Sequence, residues 1–386
     1  MNREEVLTLL NANTAEERLE NLRLLIEQED EKPEERPQYA NNHIHTFYSF
    51  SPYSPTAAVW FAREAGLTTA GIMDHDSIAG ADEFEEAGRI AAVATTSGME
   101  CRVSLEGTPF AERKLNNPDQ DGIAYMAIHG VRREGRVKLQ DYFAPLREHR
   151  NVRNRRMVEK INSIVSPHGV ELDFDRDVIP ISQYENGGSV TERHLLYALG
   201  EKIFEVVGSE ELVHFLEQVL RINLADKQRS LLSDPSNPHL KYDLLGVLKA
   251  ELVEQIYIPA TEECITLAEL VELGREVNAI VCYAYLGDVG ESVTGDKKTA
   301  KFEDDYLEEL LDELKRNGVA GVTYMPSRNS ESQLDRLQKL CRERGFIEIS
   351  GEDINSPRQG FICEQLAKPQ FSHLIDATWR LIEHER

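Results

Sequence analysis

Histidine and carboxylate side chains at the ends of predicted strands are the residues of this 386-residue chain that could do chemistry. His43 and His45 stand two apart after a strand, so both imidazoles point to one face and can reach the same ion. Four other candidates lie far apart along the chain: Glu100, His129, His194 and Asp353. Imidazole and carboxylate ligands without a thiolate are typical of zinc, manganese or iron in an open, catalytic site. The pattern therefore predicts a centre for divalent metal ions.

Each of these residues, taken singly, also has an ordinary structural explanation. A lone glutamate in a strand usually faces solvent, and a histidine within an apolar strand is usually a core residue with a satisfied hydrogen bond. What favours a common site is repetition, because histidine or carboxylate groups stand at the ends of at least four successive strand candidates. In a parallel sheet those ends lie at one edge, where α/β active sites are built.

A second group of polar residues, Asp74, His75 and Asp76, follows an apolar strand and precedes a helix. This position makes His75 a candidate catalytic residue that could protonate a leaving group. Asp76 has a competing structural role as the N-cap of the helix that begins near Ile78, and that is the interpretation we prefer.

Two arginines near these motifs could bind a phosphate through paired donors: Arg193, beside His194, and Arg328, near the end of a strand. For each, a surface ion pair is the competing and more frequent explanation. Further arginines lie on a predicted helix, at Arg147, Arg150, Arg153, Arg155 and Arg156. We expect these to form a solvated helix face paired with Glu148 and Glu159 rather than a surface that binds substrate.

Short β-rich runs alternate with helical patterns in two parts of the chain. The strand candidates are 39–45, 69–73, 93–104, 278–285, 319–324 and 346–350. The helical patterns are 54–65, 78–91, 302–317, 330–344 and about 372–384. This alternation is typical of βα units and predicts a parallel sheet or barrel.

The remaining segments read as helical additions to that barrel. Residues 1–37 carry leucines at helical spacing, and Thr14 and Glu17 form a capping-box pattern, so we expect a helical N-terminal extension and linker. Residues 135–260 are mainly helical and highly charged, which predicts an inserted helical subdomain. The two other segments are then expected to form the barrel: 38–134 and 261–386.

Composition limits the classes of partner. A net charge of −25 and an isoelectric point near 4.9 create a field that repels long nucleic acid and anionic membranes, whereas metal ions can still capture a small anionic substrate. The apolar runs fall well short of the roughly 20 residues that span a bilayer, and the start MNREEVLTLL lacks a secretory pattern, so we expect a cytoplasmic protein. Five cysteines without a CxxC pair argue against a disulfide framework or a thiolate zinc site.

The order of the motifs resembles the PHP (polymerase and histidinol phosphatase) family, and in particular its free-standing phosphoesterase branch. The matching segments run from about residue 40 to 360: the HxH of His43 and His45, then DHDSIAG, SGME, IHGV, ERHL and GEDIN. DHDSIAG, after a helix ending in AGL, is the most specific of them. The resemblance implies a distorted (β/α)7 barrel with a helical insertion near 135–260.

The resemblance also implies a set of ligands. His43, His45, Glu100 and Asp353 would hold a first ion, and Glu100 would bridge to a second ion held by His129 and His194. His75 matches the family at a candidate third site, where Asn355 stands in place of the usual histidine. Further departures from the family pattern surround the pocket: Asn41, Tyr285 and Arg328.

The function implied is metal-dependent hydrolysis of a phosphate ester by a hydroxide that bridges two divalent ions, with His75 and Arg193 as catalytic residues. The expected substrate is a small phosphorylated molecule, such as a nucleotide. One alternative is a metal-dependent amidohydrolase, although the bridging lysine of that class has no match between His45 and Arg113. Others are a catalytically weakened ligand-binding protein and a nuclease acting on short oligonucleotides.

Overall fold

A nearly closed barrel of seven strands organises the computed structural model, which describes residues 1–289 and 301–386. The strands are β1 (Asn41–Ile44), β2 (Thr69–His75), β3 (Ala94–Ser104), β4 (Ile123–His129), β5 (Ile265–Thr266), β6 (Ile280–Ala284), β7 (Gly321–Tyr324) and β8 (Ile347–Ser350). Their order in the sheet is β1-β2-β3-β4-β6-β7-β8, and the short strand β5 pairs with β3.

The two ends of the sheet meet just beyond β8. A parallel bridge joins Ile44 to Ile354, where the Ile354 carbonyl accepts from the His45 N–H at 3.0 Å and the Ile354 N–H donates to the His43 carbonyl at 3.1 Å. This closure brings the first and last motifs of the sequence together, and the predicted distorted barrel is confirmed.

One strand runs against the expected direction. β4 is antiparallel to both of its neighbours, β3 and β6, so the expectation of a parallel sheet is wrong at this position. A parallel connection needs a crossover helix, but the link between Ser104 and Ile123 contains only turns and irregular segments, and the chain therefore turns back beside β3.

Helices surround the barrel and build the additional regions. They are α1 (Arg3–Leu10), α2 (Ala15–Glu27), α3 (Pro55–Glu64), α4 (Ala81–Ala91), α5 (Arg133–Val165), α6 (Glu192–His214), α7 (Asp226–Leu232), α8 (Leu240–Ile256), α9 (Leu267–Glu276), α10 (Leu307–Arg316), α11 (Glu331–Arg344) and α12 (Ser372–Glu385). Across the two described ranges, no helix combines the length and apolar character needed to cross a membrane.

Capping residues set several helix starts. Thr14 and Glu17 form the predicted capping box of α2, because each side chain accepts from the other's backbone N–H. The prediction for Asp76 is wrong: α4 begins at Ala81 behind Gly80, and Asp76 caps nothing. Its carboxylate is instead paired with Arg150 on α5.

Two hydrophobic cores are joined by one long helix. The first half of α5 buries Leu139 and Phe143 in the barrel core, and the second half buries Met157 and Ile161 in a separate core with α6 and α8. Phe50, which follows β1, also packs into that second core. The helical region is therefore packed onto the barrel, while the predicted domain boundaries stay a prediction.

Three of the five α5 arginines that we expected on a solvated face are not solvated. Arg147, Arg150 and Arg153 are buried, and Arg150 and Arg153 pair with carboxylates on other elements of the fold. Arg155 and Arg156 are exposed, and Arg155 pairs with Asp175. Helical spacing cannot distinguish these cases, because the carboxylates that compensate the buried charges are distant in sequence.

A buried carboxyl group supports the loop after β6. Glu303 is fully buried, and its Oε1 accepts from the N–H groups of Leu286 at 2.8 Å and Gly287 at 3.3 Å. The carbonyl of Leu286 in turn accepts from Arg328 Nε at 3.2 Å. Burial raises the pKa of Glu303 to about 7.

This raised pKa predicts a pH-dependent stability. The folded chain holds the Glu303 proton more tightly than the unfolded chain, whose glutamate pKa is about 4.3, so stability should fall as pH rises from that value to about 7. The Glu303→Gln variant keeps the accepting oxygen. It should be more stable than the wild type by roughly 2 to 4 kcal/mol near pH 8, and this difference should be largely lost near pH 5. Urea unfolding at both pH values measures this, and an equal difference at both would contradict it.

Candidate metal centre

The carboxylate of Glu100 lies at the centre of the predicted site. Its Oε1 is 3.4 Å from His43 Nε2, 3.2 Å from His45 Nε2 and 3.2 Å from His75 Nδ1. His45 Nε2 is also 3.2 Å from Oδ1 of Asp353. The structure thus brings together five residues that are spread over most of the sequence.

Strand register explains how these side chains meet. His75 and Glu100 are direct partners on the parallel strands β2 and β3, so their side chains leave the sheet on the same face. His45 follows β1, and Asp353 follows β8, which the Ile44 bridge brings beside β1. His45, His75 and Asp353 thus lie at the carboxyl ends of strands, and Glu100 lies within β3 at the level of the end of β2.

Four histidines in or near the cluster each have a buried ring nitrogen without a hydrogen bond. Among the described residues, no hydrogen-bond partner is found for His43 Nε2, His45 Nε2, His75 Nδ1 or His129 Nε2. Leaving buried polar atoms unsatisfied is costly, and a metal ion would remove that cost. Within the same described ranges, two groups have ligand atoms within 4.8 Å of one another, namely His43 with His45 and Asp353, and His45 with His75 and Glu100. The residues present therefore fit divalent metal.

Electrostatics lead to the same conclusion. Burial acts to raise the pKa of Glu100, but the neighbouring His75 and His43 outweigh it and hold that pKa well below its usual range. For His45, burial opposes the charged form, yet the carboxylates of Asp353 and Glu100 raise its pKa to about 10. Burial lowers the pKa of His75 to about 3. The carboxylates of Glu100 and Asp353 thus favour a positive charge at His45 Nε2. A metal ion bound by this nitrogen would contact the same two carboxylates.

A buried carboxylate orients the His45 ring. Asp74 accepts from the Thr46 N–H at 2.7 Å, from Thr46 Oγ1 at 2.6 Å and from Ser49 Oγ at 2.6 Å. Since the only proton of Ser49 is donated to Asp74, the Ser49 oxygen accepts from Nδ1 of His45, 3.2 Å away. The Nε2 atom of His45 is then left to face Glu100 and Asp353, and such support is typical of metal-ligating histidines.

This orientation predicts the effect of a small substitution. Ser49→Ala removes the acceptor for His45 Nδ1 and should weaken metal affinity by about 10- to 100-fold, the usual effect of losing such a partner. Titration of the metal-free protein with manganese measures the affinity. Ser51→Ala serves as the control, and equal affinities for the two variants would contradict the role of Ser49.

His129 and His194 lie outside both three-residue groups. His129 ends β4 with its Nε2 buried and without a hydrogen-bond partner among the described residues, and burial lowers its pKa to about 3. His194 lies in the first turn of α6, where its Nδ1 accepts from the Thr191 N–H at 3.0 Å. Their assignment to a second ion stays a prediction.

Asn355 and the two arginines border the site. Asn355 donates from Nδ2 to Oδ1 of Asp353 at 2.6 Å, the same oxygen that faces His45. Arg193 lies over the Phe50 ring at 5.4 Å and donates to the Asn355 carbonyl at 3.4 Å. Among the described residues, neither Arg193 nor Arg328 has a carboxylate within 4.0 Å, so the surface ion pairs that we considered are not formed.

Several details of the site could not be predicted from the sequence. The family resemblance places His75 at a separate third ion, whereas in the structure its Nδ1 lies 3.2 Å from the same Glu100 oxygen that His43 and His45 approach. Phe50 has a φ of 92°, a strained value for a bulky residue, and its ring meets the edge of His194 at 5.0 Å. The roles of Ser49 and Asp74 also depend on distances that only the folded chain reveals.

Comparison with known proteins finds solved structures with a similar fold. No family model and no curated protein matches the sequence. A structure from Bifidobacterium adolescentis, assigned provisionally as a metal-dependent phosphoesterase, is 18% identical with a TM-score of 0.54, covering 87% of this chain and 95% of its own. An amidohydrolase from Chromobacterium violaceum, with bound sulfate and no metal, is 14% identical with a TM-score of 0.54, covering 88% and 96%. The chain therefore shares its fold with these two structures, which is the type of barrel that the PHP resemblance implies.

Removing the central carboxylate should empty the site. Glu100→Gln keeps the shape of the side chain but leaves His43, His45 and His75 around a neutral amide, so we expect metal content to fall to background by elemental analysis. Glu352→Gln is the matched control, because that carboxylate directly precedes Asp353 but accepts from Ser327 Oγ instead. Full metal content in the Glu100→Gln variant would contradict the assignment.

Proposed function

We propose that this protein is a metal-dependent phosphoesterase that hydrolyses a small phosphorylated molecule. The observation that carries the proposal is an imidazole and carboxylate cluster bordered by two arginines that, among the described residues, have no carboxylate within 4.0 Å. Burial lowers the pKa of Arg193, and the carboxylate of Asp353 opposes that shift. A half-buried guanidinium that is not paired with a carboxylate can bind an anion, and its planar fork suits phosphate.

The metal ions are proposed to be two in number, zinc, manganese or iron, with a third as a candidate. His43, His45, Glu100 and Asp353 would hold the first, and Glu100, His129 and His194 the second, with His75 and Asn355 near the candidate third position. When bound, such ions lower the pKa of water towards neutrality and polarise phosphoryl oxygens.

The chain's own residues would complete the chemistry. Arg193 and Arg328 would each donate to a phosphoryl oxygen and so orient the phosphate towards the cluster. His75 is the candidate proton donor to the leaving oxygen in states where its ring is not a ligand, a role that requires the charged imidazolium, whereas burial lowers the pKa of this ring to about 3. The net charge of −25 favours a small substrate over long nucleic acid. The bound sulfate of the Chromobacterium violaceum structure, a tetrahedral anion like phosphate, supports this class of ligand.

A substrate panel tests the proposal. The manganese-loaded protein is expected to hydrolyse phosphomonoesters or phosphodiesters in a panel of nucleotides, bisphosphates and sugar phosphates. Because the fold is also that of an amidohydrolase, the same panel should include N-acyl amides and lactams. Turnover of an amide without any phosphoester would overturn the proposal in favour of the amidohydrolase, and tight binding without turnover would favour a ligand-binding protein.

The arginines give a sharper test. Arg193→Met should reduce kcat/KM for the phosphoester by about 10- to 100-fold, the usual effect of losing one hydrogen bond to a charged group. Arg155→Met is the matched control, because Arg155 pairs with Asp175 away from the cluster. Equal kcat/KM in the two variants would exclude Arg193 from substrate binding.

A further inference from the structure

The corner between β2 and α4 is held in an unusual conformation at Asp76. Its φ is 51°, in the left-handed region that few residues other than glycine, asparagine and aspartate adopt. The Asp76 N–H donates to the Glu100 carbonyl at 2.8 Å, and its own carbonyl accepts from Arg147 Nη1 at 2.8 Å. Its carboxylate pairs with Arg150. These three contacts hold the residue that follows His75.

The same Arg150 also contacts the start of α6. Its Nη2 donates to Oε2 of Glu192 at 3.1 Å, and Glu192 directly precedes Arg193 and His194. The Arg150 residue is 2% exposed. A single buried guanidinium therefore connects the corner that carries His75 with the helix start that carries the proposed phosphate ligand.

The contacts belong to a buried network in which positive and negative groups alternate. Glu192 also accepts from Arg102 and Arg153, and both of these arginines donate to Glu263. Burying such charges is costly unless each is paired with good geometry, and networks of this kind are better evidence for specific positioning than for added stability. The planar fork of arginine can hold two carboxylates at a fixed spacing, which a lysine ammonium cannot do.

We propose that Arg150 is a positioning residue for the candidate metal centre. Its two ion pairs hold His75 against Glu100 and keep Arg193 facing the same cluster, so the helical region is a functional part of the site. The effect on activity that this inference predicts rests on the proposed function, but the position of the His75 ring can be measured without any activity.

Two matched substitutions separate positioning from stability. Asp76→Asn and Glu263→Gln each replace a buried carboxylate of this network with an amide of the same shape, and the two residues are equally buried, at 6% exposure. Asparagine tolerates the left-handed conformation as well as aspartate does, so Asp76→Asn adds no backbone strain. Glu263 contacts Arg102 and Arg153 but no residue of the site.

The first readout is the histidine ring spectrum of the metal-free protein, recorded by proton and nitrogen NMR. Asp76→Asn and Arg150→Lys should shift the His75 ring signals, whereas Glu263→Gln should leave them unchanged. The second readout is kcat with the substrate found in the panel, which should fall by about 10- to 100-fold in the first two variants only, as expected for a small misplacement of a reacting group. Thermal unfolding shows whether all three variants lose comparable stability.

The outcomes are distinguishable. If all three variants shift the His75 signals and lose activity in proportion to their loss of stability, Arg150 is merely structural and the inference is overturned. The same holds if Asp76→Asn leaves the His75 signals unchanged. If the wild type hydrolyses no phosphoester but the His75 shifts follow the expected pattern, the proposed function fails while the positioning role stands.

Discussion

A carboxylate that is buried in a protein interior stays ionised only where positive charge lies next to it, and this constraint shapes the centre of the fold. Glu100 is nearly inaccessible, and the rings of His43, His45 and His75 converge on one of its oxygens. The barrel satisfies this requirement by bringing the ends of β1 and β2 beside Glu100 on β3. The cluster is thus costly for the folded chain on its own, and the binding of cations would offset that cost.

Much of this arrangement could be predicted from residue types and spacing. The βα alternation predicted a parallel sheet or barrel, and the polar residues at strand ends predicted a common site, because the period of a strand and the position of its carboxyl end are local properties. The barrel itself and the grouping of His43, His45, Glu100 and Asp353 were implied by the resemblance to the PHP family. The antiparallel direction of β4 was not predicted, because direction depends on the path of a connection that carries no hydrophobic period.

Buried charge was the harder case. Arg147, Arg150 and Arg153 have the helical spacing of a solvated face, and only the partners supplied by distant elements make their burial possible. Asp76 was interpreted as a cap because its neighbours resemble a helix start, whereas its left-handed backbone instead directs its carboxylate to Arg150. Errors of this kind fall where long-range electrostatics override local propensity.

The bridge between Ile44 and Ile354 has a consequence for biosynthesis. His43 leaves the ribosome well before Asp353 and the segment that closes the sheet. A nascent chain therefore exposes an unpaired strand edge until that segment has been made, which is a hazard for aggregation. Such long-range closure also slows folding, so metal capture should be a late event in the maturation of this protein.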